Sequence, residues 1–160
     1  MTCGILIPVG SKFVLASGSR VLSDTQILPN SRKILDFPGG YTALVAGYVA
    51  DEREVWNAAS LLDEFDPDSI AQLVQQCTDN PFELIIAREG EAWLIYNDGF
   101  CAQLTEPATI GTGGPMAKGF LAASPKPRTV EKAEKLALKC LRYVSSQYAC
   151  EGPPFYSTVI

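Results

Sequence analysis

Apolar positions run unbroken over residues 3–9 and 13–16, with Gly10-Ser11 between them. Runs of this length bounded by turn residues predict buried strands, and the short polar break makes them a hairpin. Ser17-Gly18-Ser19 predicts a turn or bulge, followed by extended chain over residues 20–28 that Pro29-Asn30 closes. Residues 33–37 predict a third strand, stopped by Pro38-Gly39-Gly40, and residues 41–45 a fourth. The period then changes: over residues 51–65, Val55, Ala59 and Leu62 recur at helical spacing, with Trp56 and Phe65 flanking the stripe. Asp66-Pro67 supplies an N-cap and a proline at the first helical position for a short helix through Cys77. After Asp79-Asn80-Pro81, residues 82–87 and 92–96 predict a hairpin around Glu89-Gly90-Glu91, with a further strand over residues 100–104. A glycine-rich turn over residues 110–115 leads into a helix over residues 116–123. Beyond Pro125 and Pro127, a long helix carries Ala133, Leu136, Ala137, Cys140, Leu141 and Val144 on one stripe. Gly152-Pro153-Pro154 introduces a last strand over residues 155–160.

Strands, two helices, strands, two helices and a strand predict two packed sheets covered by helices on both outer faces. No repeat, linker or low-complexity block divides the chain, so residues 1–160 are expected to form one domain.

The balance of 13 Lys and Arg against 18 Asp and Glu gives −5, with no basic run, which argues against holding a phosphate backbone. No nucleic-acid partner is expected. There is no histidine. That removes Ser-His-Asp and Cys-His hydrolase mechanisms and imidazole metal sites, and neither metal nor cofactor is expected. Cys3, Cys77, Cys101, Cys140 and Cys150 are odd in number, widely spaced and without a C-x-x-C pair. Free thiols in a reducing compartment follow as the expectation. The amino terminus carries no basic segment, and Pro8 breaks its apolar run, so no signal peptide is read. No apolar stretch approaches ~20 residues, so no membrane association is expected. A cytoplasmic location is expected, with a virion as the alternative.

Gly111 to Gly119 fails as a phosphate loop, because Lys118 is followed by Gly119 where Ser or Thr is required. The acidic run Asp63-Glu64-Phe65-Asp66-Pro67-Asp68 reads as a solvated helix junction. The first residues carry more chemistry. Methionine before a small residue is normally removed, which leaves Thr2 first. A terminal threonine holds both a nucleophilic hydroxyl and an α-amine with a pKa of about 8 that can serve as its base.

With that terminus in view, the chain resembles the proteasome β-subunit family of N-terminal-nucleophile hydrolases, most of all its bacterial relatives HslV and Anbu. Val14-Leu15-Ala16-Ser17-Gly18-Ser19-Arg20 resembles the family's second strand and following turn. Asn30-Ser31-Arg32-Lys33-Ile34 resembles the segment that holds the catalytic lysine. Val45-Ala46-Gly47 followed by Ala50-Asp51 resembles the turn whose glycine amide forms the oxyanion hole. Ile110-Gly111-Thr112-Gly113-Gly114-Pro115 is similar to the Gly-Ser-Gly-Gly-Pro stretch of HslV. The resemblance spans nearly the whole chain and implies an α+β, four-layer αββα sandwich. It implies Thr2 as nucleophile, its amine as base, Lys33 as the charge that activates the hydroxyl, and the Gly47 amide as oxyanion donor. Thr112 stands where the family has a serine supporting the terminal amine.

Three departures count against activity. Gly18 stands where the family carries an aspartate that orients the lysine. Tyr148 and Glu151 occupy the acid and serine positions of the family's Asp-x-x-Ser-Gly-Gly. With Met1 in place, Thr2 has no free amine. The expected function is a catalytically degenerate subunit, a structural or adaptor component of a homo-oligomer or larger assembly such as a phage particle. The alternative is an active threonine peptidase that forms an HslV-like ring and cleaves peptides. A third reading, an amide hydrolase using Cys3 after further trimming, shifts the nucleophile out of register.

Overall fold

The computed structural model describes residues 2–19, 21–23, 26–28, 33–148 and 152–160. Strands β1 (Gly4–Val9) and β2 (Lys12–Gly18) form the opening hairpin, and β3 (Val21–Ser23) and β4 (Gln26–Leu28) a small second one. They are followed by β5 (Ile34–Phe37), a single 3-10 turn (Pro38–Gly40), β6 (Tyr41–Ala46), and helices α1 (Val49–Ala59) and α2 (Pro67–Cys77). Then come β7 (Glu83–Arg88), β8 (Glu91–Tyr96), β9 (Cys101–Gln103) and β10 (Ala108–Ile110). Helices α3 (Gly114–Ala122) and α4 (Val130–Gln147) precede the last strand, β11 (Phe155–Val159).

Two antiparallel sheets, ordered β10-β1-β2-β11 and β5-β6-β7-β8-β9, stack face to face. Alternation along each strand divides the side chains between two layers. Leu6, Phe13 and Leu15 meet Leu44, Ile85 and Ala92 between the sheets. Ile5, Ile7, Val14 and Ala16 turn the other way, onto Ala133, Ala137, Cys140, Leu141 and Val144 of α4. Ala43, Val45, Leu84 and Ile86 pack on Val55, Ala59, Ile70 and Val74 of α1 and α2. The central strands are therefore covered on both faces. That is why their sequences read as continuous apolar runs instead of alternating ones.

Most expected elements stand within two residues of their expected bounds, and three expectations are corrected. Ser17 and Gly18 are not a turn: Ser17 pairs with Gly4 on one side and Tyr156 on the other, and Gly18 pairs with Phe155, which keeps both in the strand. The chain after residue 20 is not one extended segment, because Ser23 pairs with Gln26 in a hairpin. The first helix ends at Ala59, not at residue 65. The amides of Leu61 and Leu62 reach back three residues to Ala58 and Ala59, which tightens and closes the last turn. Strand β10 was not expected, since three residues give no measurable period. The Asp66 cap is present: its carboxylate accepts from the amides of Asp68 and Ser69 at 3.1 and 2.9 Å.

Of the described cysteines, Cys3 and Cys140 are buried and Cys77 and Cys101 half-buried. Burial pushes the Cys140 thiol up to about 12. Burial, then Asp68 and Asp66, pushes Cys101 up to about 11. Cys150 lies outside the described residues. No helix among them is long and apolar enough to cross a membrane.

At one end of the sandwich the two hairpin tips touch, the Gly90 amide donating to the Ser11 carbonyl at 2.9 Å. Nearby, the Tyr41 hydroxyl donates to Glu91 at 2.9 Å and the Arg88 guanidinium lies 4.5 Å from the centre of the Tyr41 ring. Burial pushes the Glu91 carboxyl up, but the donors Tyr41, Arg88 and Trp93 outweigh it and hold the group below its usual range. The Tyr41 phenol is pushed up to about 12 by burial, then by its bond to Glu91 and that group's charge.

Two measurements test this packing. Leu141→Ala should cost about 2–5 kcal/mol in urea unfolding, since the side chain is enclosed against the sheet, whereas Lys139→Ala should stay within about 0.5 kcal/mol. The raised Tyr41 value means that folding favours the neutral phenol. Its contribution is complete below pH ~10 and is lost as pH rises toward 12. The stability difference between the parent and Tyr41→Phe should therefore shrink across that window; a constant difference would show that the phenol is not held neutral by the fold.

Candidate active site

The sheets approach each other closely at Gly4. A Cβ there would lie 2.7 Å from Leu44 Cδ2 and 2.8 Å from Ile110 Cγ1, so no larger residue fits without displacement. Counting outward from this crossing locates the candidate residues. Thr2 lies two positions before Gly4, and Gly47 three positions after Leu44. Thr112 lies two positions after Ile110, the register partner of Gly4. Lys33 immediately precedes β5 and is held beside β6, its carbonyl accepting from the Val45 amide at 3.2 Å. The four backbone segments thus meet at the end of the sandwich opposite the hairpin tips.

Their environments differ. Thr2 and Lys33 are buried, at 9% and 5% exposure, while Gly47 and Thr112 lie on the exposed rim. Gly47 is a glycine for steric reasons, because a Cβ would overlap the ring of the fully buried Phe82. Gly111 has φ of 81°, a left-handed conformation that side chains disfavour. A Cβ on it would fall inside the envelope of the Thr2 carbonyl. Two residues on, the Gly113 amide donates to that same carbonyl at 3.2 Å. The loop over residues 111–113 therefore wraps residue 2 closely.

Sequence reasoning missed several groups at this end. Glu83 reaches from the start of β7 across the gap between the sheets, and its carboxylate accepts from the Gly111 amide. Asp51, 8% exposed near the start of α1, accepts from the Asn80 amide at 3.2 Å. Burial pushes the half-buried Glu52 carboxyl up, while the charges of Arg53 and Lys33 pull it down. Lys33 thus lies within electrostatic reach of α1. The hydroxyls of Ser17 and Ser19 are fully buried and find no hydrogen-bond partner among the described residues. A buried polar group left so costs about 1–3 kcal/mol. A cavity of about 240 Å³ beside Lys33 is lined by Asp36, Thr42, Tyr156, Ser157 and Thr158. Among the described residues no cluster of three or more Cys, Asp or Glu could hold a metal ion.

Tyr148 caps α4, its amide donating to the Val144 carbonyl at 3.1 Å. Met1, Arg20, Asn30, Ser31, Arg32 and Glu151, which the sequence reading also used, lie outside the described residues.

No protein-family model and no curated protein matches the sequence. Solved structures do. HslV from Trypanosoma brucei superposes with a TM-score of 0.74 at 19% identity, over 99% of this chain and 98% of that one. BPH from Thiobacillus denitrificans gives 0.81 at 16% identity, over 99% and 97%. Anbu from Pseudomonas aeruginosa, solved as a helical assembly, gives 0.80 at 20% identity, over 99% and 81%. The fold is that of the proteasome-like N-terminal-nucleophile hydrolases. The α+β, four-layer αββα sandwich expected from the element order is the observed one.

The loop around Thr2 makes a direct prediction. Gly111→Ala should destabilise the protein by about 1–3 kcal/mol or more through its forced φ and its clash with Thr2. Gly119→Ala, in the exposed middle of α3 with open space around it, should instead stabilise by about 0.5–1 kcal/mol. Urea midpoints of the two variants moving in the same direction would contradict the loop geometry.

Proposed function

We propose that this chain is a subunit of a proteasome-like oligomer in which the threonine-hydrolase site is degenerate, so that it acts as a structural or adaptor component. The observation that carries this reading is Gly18. It is an ordinary paired residue of β2, and it brings no carboxylate to the position where the resemblance implies an aspartate. Losing the orienting carboxylate of a catalytic unit can cost about four orders of magnitude in rate. Met1, while attached, independently ties up the Thr2 amine that would serve as base. The helical assembly of Pseudomonas aeruginosa Anbu supports the oligomeric half of the proposal.

The meeting of the four backbone segments at one end favours a second reading, an active threonine peptidase. In that mechanism the Thr2 hydroxyl attacks a peptide carbonyl and the freed amine takes its proton. Lys33 favours the ionised hydroxyl, the Gly47 amide donates to the developing oxyanion, and Thr112 supports the amine. Among the solved structures, BPH is also known in complex with epoxomicin, which makes that compound a natural probe.

The test frees Thr2 with a cleavable N-terminal fusion, with and without Gly18→Asp, and follows peptide hydrolysis and epoxomicin labelling by intact mass. Little or no turnover and no adduct are expected from the freed parent, in a preparation that sediments as a multimer. Robust hydrolysis by the freed parent, abolished by Thr2→Ala, would establish the peptidase reading instead.

A further inference from the structure

Glu83 is the start of a chain of contacts that ends on Thr2. By alternation along β7, Glu83 shares its face with Ile85 and Ala87, and both of these lie in the apolar layer between the sheets. Its register partner on one side is Ala46, the residue before Gly47, and on the other Tyr96. From there the half-buried carboxylate crosses to the other half of the molecule and accepts the Gly111 amide, 28 positions along the chain. That amide belongs to the loop whose next glycine, Gly113, donates to the Thr2 carbonyl at 3.2 Å.

The physical logic is that of a clamp. Left-handed backbone at Gly111 is stable only when its surroundings hold it there. A hydrogen bond from a backbone amide to an ionised carboxylate is among the stronger ones available, and stronger still when shielded from water. Around this contact, the apolar side chains of the layer between the sheets include Ala46, Ile85 and Ile110. What the carboxylate adds at this position is the bond it makes to the Gly111 amide.

We propose that Glu83 is a positioning residue: it locks the loop over residues 111–113 against Thr2 and so fixes the Thr112 hydroxyl relative to residue 2. The proposal rests on the reading of Thr2 and Thr112 as members of one site, but it does not require that the site turn over substrate. It also gives one carboxylate of this end an architectural duty in place of proton transfer.

The test measures amide hydrogen exchange at Gly111 and Gly113 by NMR in the full chain, alongside the core amides of Leu15 and Ile85. Glu83→Ala should accelerate exchange at both loop glycines by about tenfold to a hundredfold and leave the core amides unchanged. Glu83→Met fills similar space without an acceptor and should exchange as fast as Glu83→Ala, whereas Glu83→Gln retains an oxygen acceptor and should restore most of the protection. Unchanged loop exchange in Glu83→Ala, or a Glu83→Gln variant as fast as Glu83→Ala, would overturn the proposal. Should Glu83→Ala fail to fold, Glu83→Gln decides alone: loop glycines exchanging as in the parent support the clamp, and full loss of protection with an intact core refutes it. None of these outcomes depends on peptidase activity, so a surprise in the epoxomicin experiment leaves this one to stand or fall separately.

Discussion

The site depends on how closely two sheets can stack at one point. Face-to-face sheets sit about 10 Å apart when ordinary side chains fill the gap. At Gly4 the space of a side chain is taken by Leu44 from the opposite sheet and Ile110 from the neighbouring strand. That contact sets the register of β1 against both β6 and β10, and it does so two residues from Thr2. The same device recurs around it: Gly47 yields to Phe82, Gly111 to the Thr2 carbonyl, and Gly113 to Cys3 and Val144. Three of the four backbone segments that meet here close in at positions that carry no side chain. A core that is close-packed transmits any added methyl group to its neighbours, so these glycines are as much a part of the architecture as the leucines.

How much of this is legible in the sequence follows from the range of each interaction. The α4 stripe is legible because Ala133, Ala137, Cys140, Leu141 and Val144 repeat within one element and face one sheet. The α2 start is legible because Asp66 caps amides only two and three residues away. Ser17-Gly18 misleads, because local composition favours a turn while pairing with β1 and β11 decides the outcome. The end of α1 misleads in the same way: Phe65 prolongs the apolar stripe in sequence, yet it packs over Gly39. At the site, Thr2, Lys33, Gly47 and Thr112 are suggested by resemblance. Glu83 is invisible, since its partner lies on another sheet and nothing near it in sequence marks the connection.

The polar groups at this end explain why a degenerate site is compatible with an intact fold. Each helix layer and the layer between the sheets has its own cluster of packed apolar side chains. Folding therefore does not demand that catalysis persist, and the fold alone does not establish it. The cost of polarity here is visible instead in the buried hydroxyls of Ser17 and Ser19, which find no partner among the described residues. Such exceptions concentrate where a fold is shaped by something other than its own stability.

The carboxylates bear on the choice between a silent and an active subunit. The threonine site that the resemblance implies needs a carboxylate placed to orient Lys33. Glu83 is engaged by the Gly111 amide, and Asp51 by Asn80. Glu52 carries the opposite sign of perturbation from an orienting acid, since burial, the larger effect, favours its neutral form. Gly18 supplies nothing. Among the described residues at this end of the sandwich, Glu83 and Asp51 hold a loop and a helix start in place.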